Sequence, residues 1–184
     1  MSDPEANLRA AERVADLLDQ HGVPAVVIGA VALAAYRYVR YTEDIDLGVD
    51  ADLPCMRKLA AALREEGFTV ELREPDGDDP LGGVIDVSGS FGLVQVVSFA
   101  DRLPAAIRDA LAGDDVRVSP GSNLRLVPLP QLVALKLYAG GSKSRADIVE
   151  LLRRNREADL SPIRTACRRY RLRGLEAILR ELHS

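Results

Sequence analysis

The stretch VVIGAVALAAYRYVRYTEDIDLGVD, residues 26–50, decides the fold of this chain. The apolar run that leads into it, Val23 to Ile28, is typical of a buried strand. Gly29 ends this run, and the alanine-rich segment Ala30 to Tyr36 predicts a helix. Thr42 to Val49 then alternates polar and apolar side chains, which predicts a second strand. A strand, a glycine turn, a short helix and a strand together indicate an α/β unit.

The second strand carries two acidic side chains, Asp44 and Asp46. Because side chains alternate along a strand, the two carboxylates share one face and lie about 7 Å apart. Carboxylate oxygens at this spacing can converge on a hard cation such as Mg²⁺. The alternative is a solvent-facing strand with acidic decoration.

Gly29 lies where the first strand becomes a helix. A glycine at this point lets the backbone approach a ligand, and the first N–H groups of a helix can bind phosphate. The alternative is a plain strand-to-helix turn.

The rest of the chain continues the α/β pattern and then becomes helical. Patterning predicts a hairpin of strands at 84–87 and 93–99 around the turn residues 88–92, and short strands at 116–118 and 124–127. Four helices are predicted behind them, at about 130–139, 143–154, 162–170 and 172–182. We therefore expect an α/β (α+β) fold, with a small mixed β-sheet covered by helices. Its core should span residues 1–128, with a helical C-terminal subdomain at 129–184 packed on it.

The residues of this opening stretch resemble the nucleotidyltransferase superfamily with the DNA-polymerase-β-type palm. An apolar strand, a glycine turn, a helix and an Asp-x-Asp strand form its signature, matched here from Val26 to Asp50. The sequence from Arg40 to Leu47 looks most like the short bacterial branch of AbiE-type toxin nucleotidyltransferases. The same is true of the later segment at 126–152, LVPLPQLVALKLYAGGSKSRADIVELL. The resemblance covers roughly residues 20–155. The chain departs from it at Ala30, where the family prefers Gly or Ser.

The resemblance implies transfer of a nucleoside monophosphate from a nucleoside triphosphate (NTP) to an acceptor hydroxyl, with Mg²⁺ or Mn²⁺. Asp44 and Asp46 would be the catalytic metal ligands, and Gly29, Ala30 and Thr42 would bind the nucleotide. Lys136 is either a phosphate contact or a side chain that reaches past an apolar helix to the solvent. Asp147 is either an orienting carboxylate or a helix-start residue favourable to the helix dipole.

The family usually supplies a third aspartate from a neighbouring strand, and by resemblance that position holds Gln95. Glutamine cannot act as a base. If the hairpin turns at Ser90-Phe91, Asp86 lies opposite Gln95, with Cβ atoms roughly 5 Å apart on one face. Asp86 is therefore the candidate surrogate, and the alternative is a solvent-facing strand residue.

Composition limits the partners. The chain has 24 Lys/Arg and 28 Asp/Glu, and they are unevenly distributed. Residues 142–184 contain 11 basic and 6 acidic side chains, a net charge of +5. Residues 1–141 contain 13 basic and 22 acidic side chains, a net charge of −9. Arg168, Arg169, Arg171 and Arg173 cluster around Tyr170, which predicts either a polyanionic acceptor such as tRNA or a solvated helical surface. A small hydroxylated molecule or a protein is the other acceptor class, and an antitoxin is a possible partner of the AbiE-type branch.

The sequence shows no signal peptide and no membrane span, so we expect a cytoplasmic protein. Two other interpretations are a degenerate family member that only binds nucleotides or partners, and an unrelated small α/β domain.

Overall fold

The computed structural model describes residues 4–42 and 44–182 of the 184-residue chain. These residues form eight helices and five strands. The helices are α1 (Pro4–Gln20), α2 (Gly29–Ala35), α3 (Leu53–Glu65), α4 (Pro104–Ala112), α5 (Leu129–Ala139), α6 (Gly141–Arg154), α7 (Leu160–Arg169) and α8 (Leu175–Leu182). The strands are β1 (Val26–Ile28), β2 (Asp44–Val49), β3 (Thr69–Arg73), β4 (Val84–Gly89) and β5 (Gly92–Ser98). This order confirms the predicted α/β class with a helical C-terminal part.

The five strands form one mixed sheet in the order β1-β2-β5-β4-β3. Only β2 and β5 run parallel; the other three neighbouring pairs are antiparallel. The hairpin of β4 and β5 turns at Ser90 and Phe91, so Asp86 pairs with Gln95 as predicted. Since β5 lies beside β2, Gln95 also pairs with Asp46.

Helices cover the two faces of the sheet unequally. On one face, α1 and α3 pack over buried aliphatic side chains such as Ile45, Leu47 and Val96. On the other face, α4 and α5 cover Ile28 and Val97. This second face is left partly open where β2, β5 and β4 carry polar residues, and those residues are half-buried. The open part of the sheet is therefore the polar part.

The apolar core of the second face continues into the helical part, through Leu132 and Ile148 to Ile178. One core thus spans position 128, and the division at that residue stays a prediction. The strands predicted at 116–118 and 124–127 are only isolated bridges, between Arg117 and Arg125 and between Val27 and Leu126. The segment at 124–127 pairs with β1 through Val27, whereas the segment at 116–118 pairs with 124–126 and not with β1. Within the described residues, no helix combines the length and the apolar character that crossing a bilayer requires.

Candidate active site

The acidic pair lies on the open face of β2. Asp44 and Asp46 are half-buried, whereas Ile45 and Leu47 between and beside them are buried in the opposite core. The alternation expected from the sequence therefore holds, and both carboxylates project from the same face. Thr42 supports this start of the strand, because its Oγ1 accepts a hydrogen bond of 3.2 Å from the backbone N–H of Asp44.

Gly29 makes room for one carboxylate of the pair. Its φ is +66°, and a Cβ added to it would lie 1.8 Å from Oδ2 of Asp46. Any larger residue at position 29 would therefore displace Asp46. As the first residues of α2, Gly29 and Ala30 have N–H groups without partners inside the helix. The Asp46 carboxylate thus lies against the start of α2, and the next residue of this helix, Ala30, is buried.

Opposing effects act on the pKa of the Asp46 carboxyl group. Burial raises the pKa of its carboxyl, and the negative charge of Asp44 raises it further, whereas the charges of Lys136 and Arg40 lower it. Ionisation of Asp46 is therefore disfavoured without an additional positive charge. A divalent cation is the natural partner of such a pair.

The acidic pair fits Mg²⁺ or Mn²⁺ by its chemistry. Both side chains offer the oxygen donors that hard cations prefer, and Mg²⁺ often uses one or two carboxylates together with substrate phosphates. Among residues 4–42 and 44–182, no cluster of three or more His, Cys, Asp or Glu side chains could hold a metal ion. An ion held by Asp44 and Asp46 would leave coordination positions for water or substrate phosphates.

Asp147 holds two cations next to the acidic pair. Its carboxylate is 2 % exposed, and it accepts hydrogen bonds from Nη1 of Arg40 at 3.0 and 3.2 Å and from Nζ of Lys136 at 2.8 Å. Lys136 therefore does not reach past its helix into the solvent, which was one of its two predicted placements. Asp147 therefore fixes the side chains of Lys136 and Arg40, and its role as an orienting carboxylate stays a prediction.

The alternative prediction for Asp147, a helix-start residue, is wrong. Helix α6 begins at Gly141, six residues before Asp147 and two before the predicted start. Gly140 and Gly141 both have positive φ, +67° and +76°, so the chain reverses directly after α5 and the new helix starts at once. Asp147 consequently lies in the second turn of α6, where its interaction with the helix dipole is weak.

Arg40 is a site residue that the sequence interpretation missed. The loop that carries it, residues 36–42, is fixed on α6, because Asn155 donates to the carbonyl of Tyr36 at 2.9 Å and Arg154 to that of Arg37 at 3.2 Å. The alternation of polar residues backwards from the acidic pair, through Thr42 to Arg40, was the signal that could have found it.

A polar row crosses the sheet beside the acidic pair. Gln95 lies next to Asp46 on β5, and Asp86 lies next to Gln95 on β4. Nε2 of Gln95 donates to Asp86 at 2.6 Å, and Arg73 donates to both oxygens of Asp86, at 2.7 and 3.0 Å. Burial raises the pKa of Asp86, but the hydrogen bonds from Arg73 and Gln95 outweigh it, and the pKa is lowered overall. The predicted juxtaposition is confirmed, and Asp86 is bound by two neighbours.

Comparison with known proteins identifies the fold. No protein-family model matches the chain, and no curated protein matches it by sequence. The solution structure of the antibiotic-resistance factor ANT(2'')-Ia is 17% identical with a TM-score of 0.56, covering 100% of this chain and 98% of that one. A crystal structure of ANT(2'')-Ia in complex with adenylyl-2''-tobramycin is 15% identical with a TM-score of 0.55, covering 89% and 96%. An antigenic nucleotidyltransferase-like protein from Paracoccidioides brasiliensis is 16% identical with a TM-score of 0.54, covering 91% and 88%. The chain therefore has the nucleotidyltransferase fold, and the likeness to the AbiE-type branch stays a prediction.

Proposed function

We propose that this protein transfers a nucleoside monophosphate from an NTP to an acceptor hydroxyl, with Mg²⁺ or Mn²⁺ held by Asp44 and Asp46. The acceptor hydroxyl would lose its proton to solvent, and its oxygen would bond to the α-phosphorus. The bond from that phosphorus to the bridging oxygen would break, and pyrophosphate would leave with the electron pair. The observation that carries the proposal is the Asp46 carboxylate against Gly29, beside Asp44, on a nucleotidyltransferase fold. A structure of the same fold holds adenylyl-2''-tobramycin, a small molecule that carries an adenylyl group.

Phosphoryl transfer requires positioning and charge neutralisation more than covalent help from the protein. A bound divalent cation supplies neutralisation of phosphate charge. The chain itself would hold the β- and γ-phosphates at the N–H groups of Gly29 and Ala30. Lys136 would contact the phosphates from the other side, and Thr42 would fix the backbone of Asp44. Arg40, held by Asp147, would add a second positive charge near the same phosphates.

Nucleotide binding is tested by thermal denaturation with Mg²⁺ and each NTP in turn. A nucleotide at 100 times its dissociation constant should add about 2.7 kcal/mol to the free energy of unfolding. Replacing Asp44 and Asp46 together by Asn should abolish the magnesium-dependent part of this gain. The control replaces Asp76 and Asp78 by Asn, which removes the same charge from an exposed loop. An unchanged gain in the Asp44, Asp46 double variant excludes these residues as the metal site.

The acceptor can be identified by transfer of label. Incubation with an α-labelled NTP, Mg²⁺ and either total tRNA or a pool of hydroxylated small molecules should label one class. Protein acceptors and an antitoxin partner remain predictions of the sequence resemblance, and a labelled protein band in a cell extract would support the former.

A catalytically degenerate nucleotide-binding protein is the second candidate, and Gln95 favours it. Glutamine stands beside Asp46 where the family places an aspartate, and the lowered pKa of Asp86 makes it a weak base. If Asp86 nevertheless acts on the acceptor side, Asp86→Ala should reduce transfer by about a hundredfold or more while nucleotide binding persists. If the wild type binds NTP without transferring, and Gln95→Asp transfers while Gln95→Asn does not, the natural protein is the degenerate binder.

A further inference from the structure

Two neighbouring grooves in the helical part share a wall. The first, of about 430 Å³, lies between α7 and α8, and the second, of about 340 Å³, lies between the α5–α6 turn and α8. Arg173 and Gly174 line both grooves, so the two are continuous. We call the combined surface the basic groove; its charged residues are Lys136, Arg145, Arg164, Arg168, Arg173, Arg180 and Glu176.

The basic groove is strongly positive in a chain whose net charge is −4. Its lining contains six basic residues and one acidic residue, Glu176. A hydrogen bond from Arg164 lowers the pKa of Glu176, and the charges of Arg180 and Arg168 lower it further. The single carboxylate is therefore surrounded by arginines and cannot neutralise them.

Three of these arginines are available to an external anion. Arg164 pairs with Glu176 and Arg145 with Glu181. Arg168, Arg173 and Arg180 form no ion pair with any other residue that the structure describes, and all three are exposed. Arg169 does not belong to this surface, although the sequence groups it with its neighbours, because its guanidinium binds Asp109 at 2.7 and 3.2 Å.

One end of the basic groove is lined by Lys136, a residue of the candidate active site. Nζ of Lys136 donates to Asp147, which also binds Arg40, four residues before Asp44 in the chain. An anion that follows the groove from α8 towards α5 therefore meets the cations that Asp147 holds. A polynucleotide has both a row of phosphates and a terminal hydroxyl, whereas an acidic protein surface offers no hydroxyl at a defined end.

We propose that the basic groove binds the phosphate backbone of single-stranded RNA and presents its terminal hydroxyl to Asp44 and Asp46, which makes RNA the acceptor. The inference rests on the proposed function for the transfer step, but the binding step stands independently. Arginine suits this task because its planar guanidinium binds phosphate through two parallel hydrogen bonds. Grooves of about 430 and 340 Å³ have room for a single strand.

Binding is tested with a labelled single-stranded RNA oligonucleotide and the full chain over a series of salt concentrations. Each phosphate contact contributes roughly 0.7 to the slope of log affinity against log salt for single strands. Replacing Arg168, Arg173 and Arg180 by Gln should therefore reduce the slope by about 2, and weaken binding about a hundredfold at 0.1 M salt. Replacing the same three by Lys should restore most of the slope, since the charges return.

The matched control replaces Arg9, Arg102 and Arg156 by Gln, which are exposed arginines outside the basic groove. The control should bind RNA with the wild-type slope. Equal loss in both triple variants, or a wild type whose RNA binding does not depend on salt, overturns the proposal. Competition by polyglutamate as strong as that by RNA also overturns it, in favour of an acidic protein partner.

The acceptor step has a separate test. RNA with a 3′-phosphate should bind as well as unblocked RNA but receive no label from an α-labelled NTP. If neither RNA is labelled, yet the Asp44, Asp46 double variant loses its nucleotide-dependent stability, RNA as the acceptor is wrong while the nucleotide site stands. If that stability gain persists in the double variant, the proposed function fails, whatever the RNA result.

Discussion

Replacing Asp147 by Asn should destabilise the protein by about 3 kcal/mol. Removing one partner of a buried ion pair costs roughly 3–5 kcal/mol, because the remaining charge is left without compensation. Here two cations lose their carboxylate, but Arg40 is 30 % exposed and Lys136 16 % exposed, so both can regain some water. Asn can also keep one of the three hydrogen bonds, which places the estimate at the lower end of that range.

Thermal denaturation and urea titration measure this loss. For a chain of 184 residues, each kcal/mol lowers the melting temperature by roughly 2–4 °C, so Asp147→Asn should melt about 9 °C lower. The control is Glu157→Gln, which removes a carboxylate from an exposed ion pair with Arg37 on the same loop, at 67 % and 62 % exposure. That change should cost less than about 1 kcal/mol. Equal stability of the Asp147 variant and the control would refute the view that the buried carboxylate holds the two cations.

Three further predictions concern the acidic pair, the polar row and the cysteines. Gly29→Ala should abolish the stabilisation by Mg²⁺ and NTP in thermal denaturation, because the new Cβ would lie 1.8 Å from Oδ2 of Asp46. The control is Gly22→Ala, which also strains a positive φ, +74°, but whose Cβ meets no atom within 4 Å; it should keep that stabilisation. Asp86→Asn should destabilise the protein at pH 7, as measured by urea titration. The difference from the wild type should disappear as the pH falls through the lowered pKa of Asp86. A carboxyl group whose pKa is lowered by folding stabilises the protein only above that pKa. At pH 8 a thiol reagent should modify the part-exposed Cys55 first and should reach the buried Cys167 only in urea. Burial and the charge of Glu176 raise the pKa of Cys167 to about 11, so little of its reactive thiolate is present at pH 8. Rapid labelling of both thiols in the folded protein would contradict the burial of Cys167.

The sheet side of the site could be predicted because strands obey a strict alternation. Asp44 and Asp46 follow from period two, and the pairing of Asp86 with Gln95 follows from the position of the hairpin turn. Neither inference needs information about distant parts of the chain. The proximity of Gln95 to Asp46 was inferred only through the family resemblance, because the parallel pairing of β2 with β5 joins segments that a helix, two strands and their loops separate.

The helical side of the site could not be predicted in the same way. Asp147 lies 107 residues from Arg40 and 11 from Lys136, and the three meet only when α6 has packed against the loop at 36–42. Local pattern placed Asp147 near a helix start, because nothing in the sequence distinguishes a double glycine that extends a loop from one that reverses the chain at once. The positive φ of both Gly140 and Gly141 decides this, and it depends on the packing of α5 against α6.

The charges around the site imply an order of binding. When fully ionised, Asp44, Asp46 and Asp147 carry −3 and Arg40 and Lys136 carry +2, so the five side chains sum to −1. A triphosphate that arrives alone would be repelled by this net negative charge, whereas a divalent cation would be attracted and would change the sum to +1. The buried carboxylate of Asp147 binds Arg40 and Lys136 and offsets one of their two positive charges. Because only one positive charge then remains against the two carboxylates of the acidic pair, we expect nucleotide to stabilise the protein only when Mg²⁺ or Mn²⁺ is present.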